Sequence, residues 1–195
     1  MRTGGVVLAA GKSSRMGANK LLLEVAGRTV LDRLLDALTL VDEVVVVTGY
    51  NPKSIRKIAE AHGVHVAHNA DHEKGMTTSF QTGIRALVGV DAAFLVLGDQ
   101  LGLRPELIRR MVAAMEDIPG ALIVSPTHGE KRGHPVLFRK SLFGEILAVE
   151  GTLKEVVDAH TNAHVQVEGG EWSTLDFDTL ADFERAKRLY EQCME

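Results

Sequence analysis

Residues 4–20 of the chain read GGVVLAAGKSSRMGANK, and this stretch decides the fold class. Residues 6–10 form a short apolar run next to glycines, which is typical of a strand buried on both faces of a parallel sheet. Residues 11–20 form a polar loop that begins with Gly-Lys-Ser. That tripeptide after an apolar strand is typical of loops that bind the phosphates of nucleotides.

In the residues that follow this segment, strand patterns alternate with helical patterns along the chain. Residues 44–48 repeat the buried-strand pattern, residues 30–40 place apolar side chains at helical spacing, and residues 91–100 contain a further buried strand. This alternation predicts βαβ units, a largely parallel, Rossmann-like sheet and a three-layer α/β/α architecture. Residues 1–195 show no linker or repeat, so a single domain is expected.

The last part of the chain is predicted to complete this sheet. Residues 164–169 and 173–178 have strand patterns, and we expect these two late strands to pair antiparallel at one edge. Residues 179–194 have the pattern of an amphipathic C-terminal helix.

Composition and charge exclude several classes of function. The chain has 195 residues, with 22 Lys and Arg against 26 Asp and Glu, so it lacks the basic footprint of a general nucleic-acid binder. No apolar stretch approaches the roughly 20 residues that span a bilayer, so no membrane association is expected. The one cysteine, Cys193, cannot form an internal disulfide. A reducing compartment and a soluble, cytoplasmic protein are therefore expected.

Two well-known phosphate-binding motifs do not fit the loop at residues 11–20. A P-loop needs a glycine where Val6 stands, and Gly5 lies one residue too early. A dinucleotide fingerprint fails because Lys12 and Ser13 directly follow Gly11. A plain turn from strand to helix with incidental glycines remains an alternative.

The loop nevertheless has its own phosphate-binding chemistry. Lys12, Arg15 and Lys20 place three cations within ten residues of a net acidic protein. Arginine offers planar bidentate contacts and lysine a point charge, and both suit a triphosphate. The small residues at positions 9–11 let a base or sugar approach the backbone closely.

The first loop and several later segments of the sequence resemble those of a known family. LAAGKSSRMGANK, residues 8–20, resembles the L-A-A-G-x-S-x-R-M-G-x-x-K signature of nucleotidyltransferases with a glycosyltransferase-A-like α/β fold. It is similar in particular to the MobA-like branch, which includes molybdenum cofactor cytidylyltransferases. The similarity continues through NADHEKGMTTSFQTGI, LVLGDQ, RGHPVLF and LDFDTLADFERA, and so covers nearly the whole chain. The fold implied is the nucleotide-diphospho-sugar transferase type.

The resemblance implies roles for the first loop. Arg15 and Lys20 would contact the triphosphate, and Lys20 would neutralise charge that develops during transfer. Ser13 would add a hydrogen-bond donor. The residues that would line the base and ribose are Leu8, Ala9, Ala10 and Gly11. Ala-Ala-Gly in this stretch is similar to cytidylyl- and uridylyl-transferring relatives, while guanylyl-transferring ones tend to have Ala-Gly-Gly. CTP is therefore the expected nucleotide.

A second nucleotide-binding segment is implied at GMTTSFQTG. Gly75 can bring its backbone close to a ligand, and Ser79 is expected to contact the base or ribose. The alternative is that the Thr and Ser hydroxyls of this segment only cap a helix.

Two carboxylates are expected to bind Mg²⁺, with Mn²⁺ as the alternative ion. Asp99 follows the buried strand at residues 91–100, where ligands of open α/β sheets bind. Asp178 is the expected second ligand and Asp176 the alternative, since a strand would place both on one face. Both could instead belong to turns or helix caps. Leu101 and Leu180 stand where the family usually has proline.

The acceptor would be the molybdopterin form of the molybdenum cofactor, giving its cytosine dinucleotide. His134 and Arg132, in RGHPVLF, are the expected acceptor contacts. One alternative keeps the chemistry but uses another small phosphate, such as a sugar or polyol phosphate. The other is a non-catalytic protein that delivers the finished cofactor to a molybdenum hydroxylase apoenzyme. With a single cysteine the chain has no Cys/His spacing typical of a zinc site, so no zinc is expected.

Overall fold

The apolar run at residues 6–10 lies largely in an inner strand of an eight-stranded sheet. The computed structural model describes residues 1–11 and 19–192. The strands are β1 (Thr3–Ala9), β2 (Glu24–Val25), β3 (Arg28–Thr29), β4 (Glu43–Thr48), β5 (His65–His68), β6 (Ala92–Leu97), β7 (Ile123–His128), β8 (Lys131–Arg132), β9 (Val136–Arg139) and β10 (His164–Glu168). The short strands β2 and β3 pair with each other, apart from the main sheet.

Helices connect most of these strands. They are α1 (Val30–Ala37), α2 (Lys53–Ala61), α3 (Met76–Ala86), α4 (Pro105–Asp117), α5 (Phe143–Ala148), α6 (Leu153–Ala159) and α7 (Leu180–Gln192). Within the described ranges, no helix combines the length and the apolar character needed to cross a membrane.

The sheet is mostly parallel, with the strand order β10-β7-β9-β6-β1-β4-β5 and β8 beside β7. Strand β1 pairs in parallel with β4 on one side and with β6 on the other. The pairs β4–β5 and β7–β10 are also parallel, while β9 runs antiparallel between β6 and β7. The predicted α/β class with a largely parallel sheet is confirmed.

The predicted arrangement of the late strands is wrong in two respects. Strand β10, from the segment at 164–169, pairs in parallel with β7, and the antiparallel strand inside the sheet is β9. Residues 175–178 form no strand. Their alternating pattern arises because Phe177 is buried against Phe183 of α7, with ring centroids 5.5 Å apart, while Asp176 and Asp178 face outward. Burial against a helix thus mimics the period of a strand.

Alternate residues of the inner strands face two different cores. Val7 and Val46 pack with α1, α2 and α4 on one side of the sheet. Val6 and Val45 pack with α3, α5 and α6 on the other side. Since both faces are covered, each inner strand needs a continuous apolar run, which is the pattern that residues 6–10 show. The result is the three-layer α/β/α architecture.

Helix α3 approaches β1 closely because Gly83 has no side chain. A Cβ atom at position 83 would lie 2.1 Å from Cγ1 of Val6, a stiff side chain that is fully buried in the sheet. We expect Gly83→Ala to lower the free energy of unfolding by about 1–3 kcal/mol through overpacking. Urea titration followed by circular dichroism measures this change.

Gly144 in α5 provides the matched control. A Cβ atom there meets nothing within 4 Å, so Gly144→Ala should be neutral or stabilising by up to about 1 kcal/mol. Helix propensity alone favours alanine at both positions. If both variants were equally stabilised, the close approach at Gly83 would carry no energetic weight.

Candidate active site

A cavity of about 310 Å³ opens at the carboxyl ends of β1 and β6. Four segments of the chain line it: the end of β1, residues 20–21, the turn before α3 with the first turn of that helix, and the end of β6. The lining residues are Leu8, Ala9, Ala10, Gly11, Lys20, Leu21, His72, Gly75, Met76, Ser79, Leu97, Gly98 and Asp99. The structure thus brings eight of the sequence-predicted site residues together around one cavity: Leu8, Ala9, Ala10, Gly11, Lys20, Gly75, Ser79 and Asp99.

One wall of this cavity consists of small residues and exposed backbone. Ala9 and Ala10 are buried at the end of β1, and the Gly98 N–H donates to the Leu8 carbonyl at 3.1 Å. This bond extends the pairing of β1 with β6 to the cavity edge. A flat ring can therefore approach the main chain of residues 9–11 without meeting a large side chain.

Charged groups also line this cavity. The Lys20 ammonium forms an ion pair with Asp99 and lies 3.6 Å from Oδ1 of Asp178. It also lies 5.8 Å from the centroid of the buried Phe177 ring. Two carboxylates from distant parts of the sequence therefore converge on one cation, and the Lys20–Asp99 pair faces the cavity.

The alternative roles of Asp99 and Asp178, in turns or helix caps, can be checked against the contacts in the structure. Thr179, and not Asp178, caps α7: its hydroxyl accepts from the Asp182 N–H at 3.2 Å, and its own N–H donates to Asp182 Oδ2 at 3.1 Å. Helix α4 begins at Pro105, well beyond Asp99. Neither Asp178 nor Asp99 therefore caps the helix that follows it.

Asn69 organises the second segment of the site. Its side-chain amide is buried and donates to the hydroxyls of Thr78 and Ser79, at 3.0 Å each. Gly75, which directly precedes α3, has a φ of 108°, a backbone conformation that glycine adopts most readily. The Ser79 hydroxyl is thus held at the cavity wall inside α3 and does not cap the helix.

His134 lies on a second, smaller cavity, of about 90 Å³. Its backbone N–H donates to the Ser173 carbonyl at 2.8 Å. Burial lowers the pKa of His134 below its ordinary value of 6.5, although the charges of Asp176 and Asp99 oppose the shift. The imidazole is therefore neutral at pH 7 and can donate one hydrogen bond and accept another.

Arg104, Arg110 and Trp172 also line this second cavity. Arg132 does not line it. Arg132 is an exposed residue of β8, paired with Thr127 of β7. Of the two residues predicted to contact the acceptor, His134 lines this cavity and Arg132 does not.

Residues 5–165 match the family model described as the MobA-like NTP transferase domain. This match covers most of the chain. The chain belongs to the MobA-like NTP transferase family. The resemblance noted in the sequence is therefore confirmed.

Two curated relatives of this MobA-like chain have related names. The chain is 30% identical over 189 residues to the molybdenum cofactor cytidylyltransferase of Escherichia coli, with 95% of each chain covered. It is 24% identical over 195 residues to the probable molybdenum cofactor guanylyltransferase of Natranaerobius thermophilus, with 94% of each covered. These names include both a cytidylyl- and a guanylyltransferase.

A solved structure also shares the fold. Rv0371c from Mycobacterium tuberculosis is 28% identical and superposes with a TM-score of 0.80, covering 96% of this chain and 98% of that one. A second structure of Rv0371c is described as a complex with manganese, at a TM-score of 0.74 and 26% identity over 96% of this chain and 99% of that one.

The two positions where this MobA-like chain departs from the family pattern differ in environment. Leu101 is buried with Phe177 and Phe183 in the apolar cluster beneath α7. Leu180 is 55% exposed as the first residue of α7. The substitution at position 101 is therefore a packing contribution next to the carboxylates, whereas nothing in the structure explains the one at position 180.

Some site residues fall outside these observations. Ser13 and Arg15 lie outside the described residues. Conversely, Asn69 and His72 were not predicted as site residues; they belong to the segment NADH directly after β5. Their place at the carboxyl end of a parallel strand was the signal that could have identified them.

Proposed function

We propose that this protein transfers CMP from CTP to the molybdopterin form of the molybdenum cofactor and releases pyrophosphate. The observation that carries the proposal is the Lys20 ammonium between Asp99 and Asp178, beside a cavity walled by small residues. The family, and the name of the Escherichia coli relative, support the choice of reaction.

The reaction is a substitution at the α-phosphorus. An oxygen of the acceptor phosphate forms the new P–O bond, and the bond between the α-phosphorus and its bridging oxygen breaks as pyrophosphate leaves. The nucleophile is already anionic, so no strong general base is needed. The protein contributes mainly by positioning the two substrates and neutralising charge, with Lys20 and Arg15 as the cations in these roles.

The carboxylates fit a divalent cation of the hard, oxygen-binding type. Among the described residues no group of three or more His, Cys, Asp or Glu side chains could hold a metal. Two carboxylates together with substrate phosphates are nevertheless the usual setting for Mg²⁺. We assign Asp99 and Asp178 to Mg²⁺ or Mn²⁺, in keeping with the manganese complex of Rv0371c. Bound there, the ion would neutralise charge on the phosphates.

The second cavity is the proposed approach of the acceptor. Arg104 and Arg110 provide cations for a phosphate, and the ring of Trp172 provides a flat apolar surface for a pterin. The neutral imidazole of His134 is assigned to hydrogen bonding with the acceptor. Arg132 is kept as an outer contact, because it is exposed and away from the cavity lining.

The preference for CTP rests on Ala10, whose side chain is small and buried at the cavity wall. Ser79 is assigned to the base or ribose, with Leu8, Ala9, Gly11 and Gly75 around it. Ser13 is kept as a phosphate donor.

One assay tests the proposed function. Pyrophosphate release is measured with CTP, GTP, ATP and UTP in the presence of Mg²⁺, with and without molybdenum cofactor. We expect turnover with CTP that depends on the cofactor and stops when the metal is chelated.

Each of the other outcomes would show that a different part of the proposed function is wrong. If GTP exceeded CTP, the assignment based on Ala10 would be wrong. Turnover with a sugar or polyol phosphate in place of the cofactor would show that such a phosphate, and not molybdopterin, is the acceptor. Binding of the finished dinucleotide cofactor without any turnover would favour a delivery protein for a molybdenum hydroxylase.

A further inference from the structure

We propose that His72 recognises the exocyclic amino group of the nucleobase and thereby makes the site select CTP over UTP. This inference rests on the proposed function, because it takes the cavity at β1 and β6 to hold a nucleoside triphosphate. His72 lines that cavity.

The hydrogen bonds of the His72 ring define the tautomer of its neutral form. Nδ1 lies 3.3 Å from the main-chain carbonyl oxygen of Asn69. A carbonyl oxygen can only accept, so Nδ1 carries the proton and donates it. In a neutral imidazole the other nitrogen, Nε2, is then an acceptor with a free lone pair.

That acceptor has no partner within the protein as described. Nε2 of His72 is buried and receives no hydrogen bond from residues 1–11 or 19–192. Buried polar atoms of this kind are uncommon, and each one calls for a partner. A ligand that brings an N–H group into the cavity would supply it.

The place of His72 in the cavity indicates which part of a nucleotide it meets. A Cβ atom at Gly49 would lie 2.6 Å from both Cβ and Cγ of His72 and 2.9 Å from the carbonyl oxygen of Ala10. His72 therefore adjoins the wall of small residues, which the proposed function assigns to the base. Lys20 and Asp99, which the proposed function assigns to the phosphates and the divalent ion, belong to other segments of the cavity lining.

An acceptor at this wall discriminates between the two pyrimidines. Cytosine presents an amino group at position 4, which donates to an acceptor, whereas uracil presents a carbonyl oxygen there, which repels one. A site built to bind a donor group rejects the analogue that lacks it, because the buried acceptor is left unpaired.

The test is the affinity of the protein for CTP and for UTP, measured by isothermal titration calorimetry with Mg²⁺ and no acceptor. The wild-type protein should bind CTP at least roughly tenfold more tightly than UTP. His72→Phe keeps a flat ring but removes the acceptor, so the CTP/UTP ratio should fall towards one. His72→Gln offers an amide oxygen near the place of Nε2 and should restore most of the ratio.

His65→Phe is the matched control, because it removes an imidazole from the exposed strand β5. It should leave the ratio unchanged. If His72 only packed against Gly49, His72→Phe would weaken the binding of CTP and of UTP equally. An unchanged ratio in that variant therefore overturns the inference, while CTP-dependent pyrophosphate release would leave the proposed function standing. Failure of the wild-type protein to bind either nucleotide overturns both.

Discussion

Asp99→Asn should lower kcat for nucleotidyl transfer by roughly 10²–10³-fold, with little change in the fold. Asn keeps the size of the side chain but removes the charge that faces Lys20 and would hold the divalent ion. The side chain is only 14% exposed, so the lost charge is poorly replaced by water. Steady-state pyrophosphate release measures kcat, and thermal unfolding checks the fold. Near-normal activity would remove Asp99 from the proposed metal site.

The aspartates at positions 176 and 178 provide the internal comparison. Asp178 lies 3.6 Å from the Lys20 ammonium, whereas Asp176 acts electrostatically on His134. Asp178→Asn should therefore lower activity much more than Asp176→Asn and raise the Mg²⁺ concentration needed for half-maximal rate. The reverse order would make Asp176 the second ligand.

Lys20→Met should also lower kcat by roughly 10²–10³-fold and raise KM for CTP. Methionine matches the length of lysine but cannot neutralise the triphosphate or the charge that develops as pyrophosphate leaves. Lys20 contacts Asp99 and Asp178, so its loss also leaves two carboxylates facing each other. Initial rates over a range of CTP concentrations separate the two kinetic effects.

The matched control is Lys74→Met, which removes an exposed lysine that pairs with Asp71 at 2.9 Å outside the cavity lining. It should retain kcat within about twofold of the wild-type value, as expected for a surface pair. Equal losses in the two variants would show that Lys20 acts through net charge alone and not through its position.

Much of the fold follows from patterns within short segments. A strand covered on both faces needs a continuous apolar run, and residues 6–10 and 44–48 have one. The helical spacing at residues 30–40 and 179–194 likewise corresponds to α1 (Val30–Ala37) and α7 (Leu180–Gln192). The strand predicted at residues 173–178 is wrong because a period of two indicates only that alternate side chains are buried. It does not indicate whether a sheet or a helix buries them.

The position of the candidate site was predictable where its residues follow strands. Asp99 comes directly after β6, and residues 9–11 span the end of β1, so their position at one edge of the sheet follows from the parallel topology. Asn69 and His72 follow β5 in the same way, but neither residue type alone distinguishes a ligand contact from a turn. Their importance became visible only through a buried amide and a buried, unpartnered nitrogen.

The layer architecture and the family could be predicted from the amino-acid sequence, as could the sheet edge at which the candidate site lies. These depend on local periodicity, on the thirteen residues at 8–20 and on chain direction. Three features could be read only from the folded chain: β9 runs antiparallel inside the sheet, Asp178 and not Asp176 reaches Lys20, and His134 but not Arg132 lines the second cavity. Each of these features depends on contacts between groups that are distant in sequence. A local sequence pattern indicates which side chains are buried and with what period, but not which residues they contact.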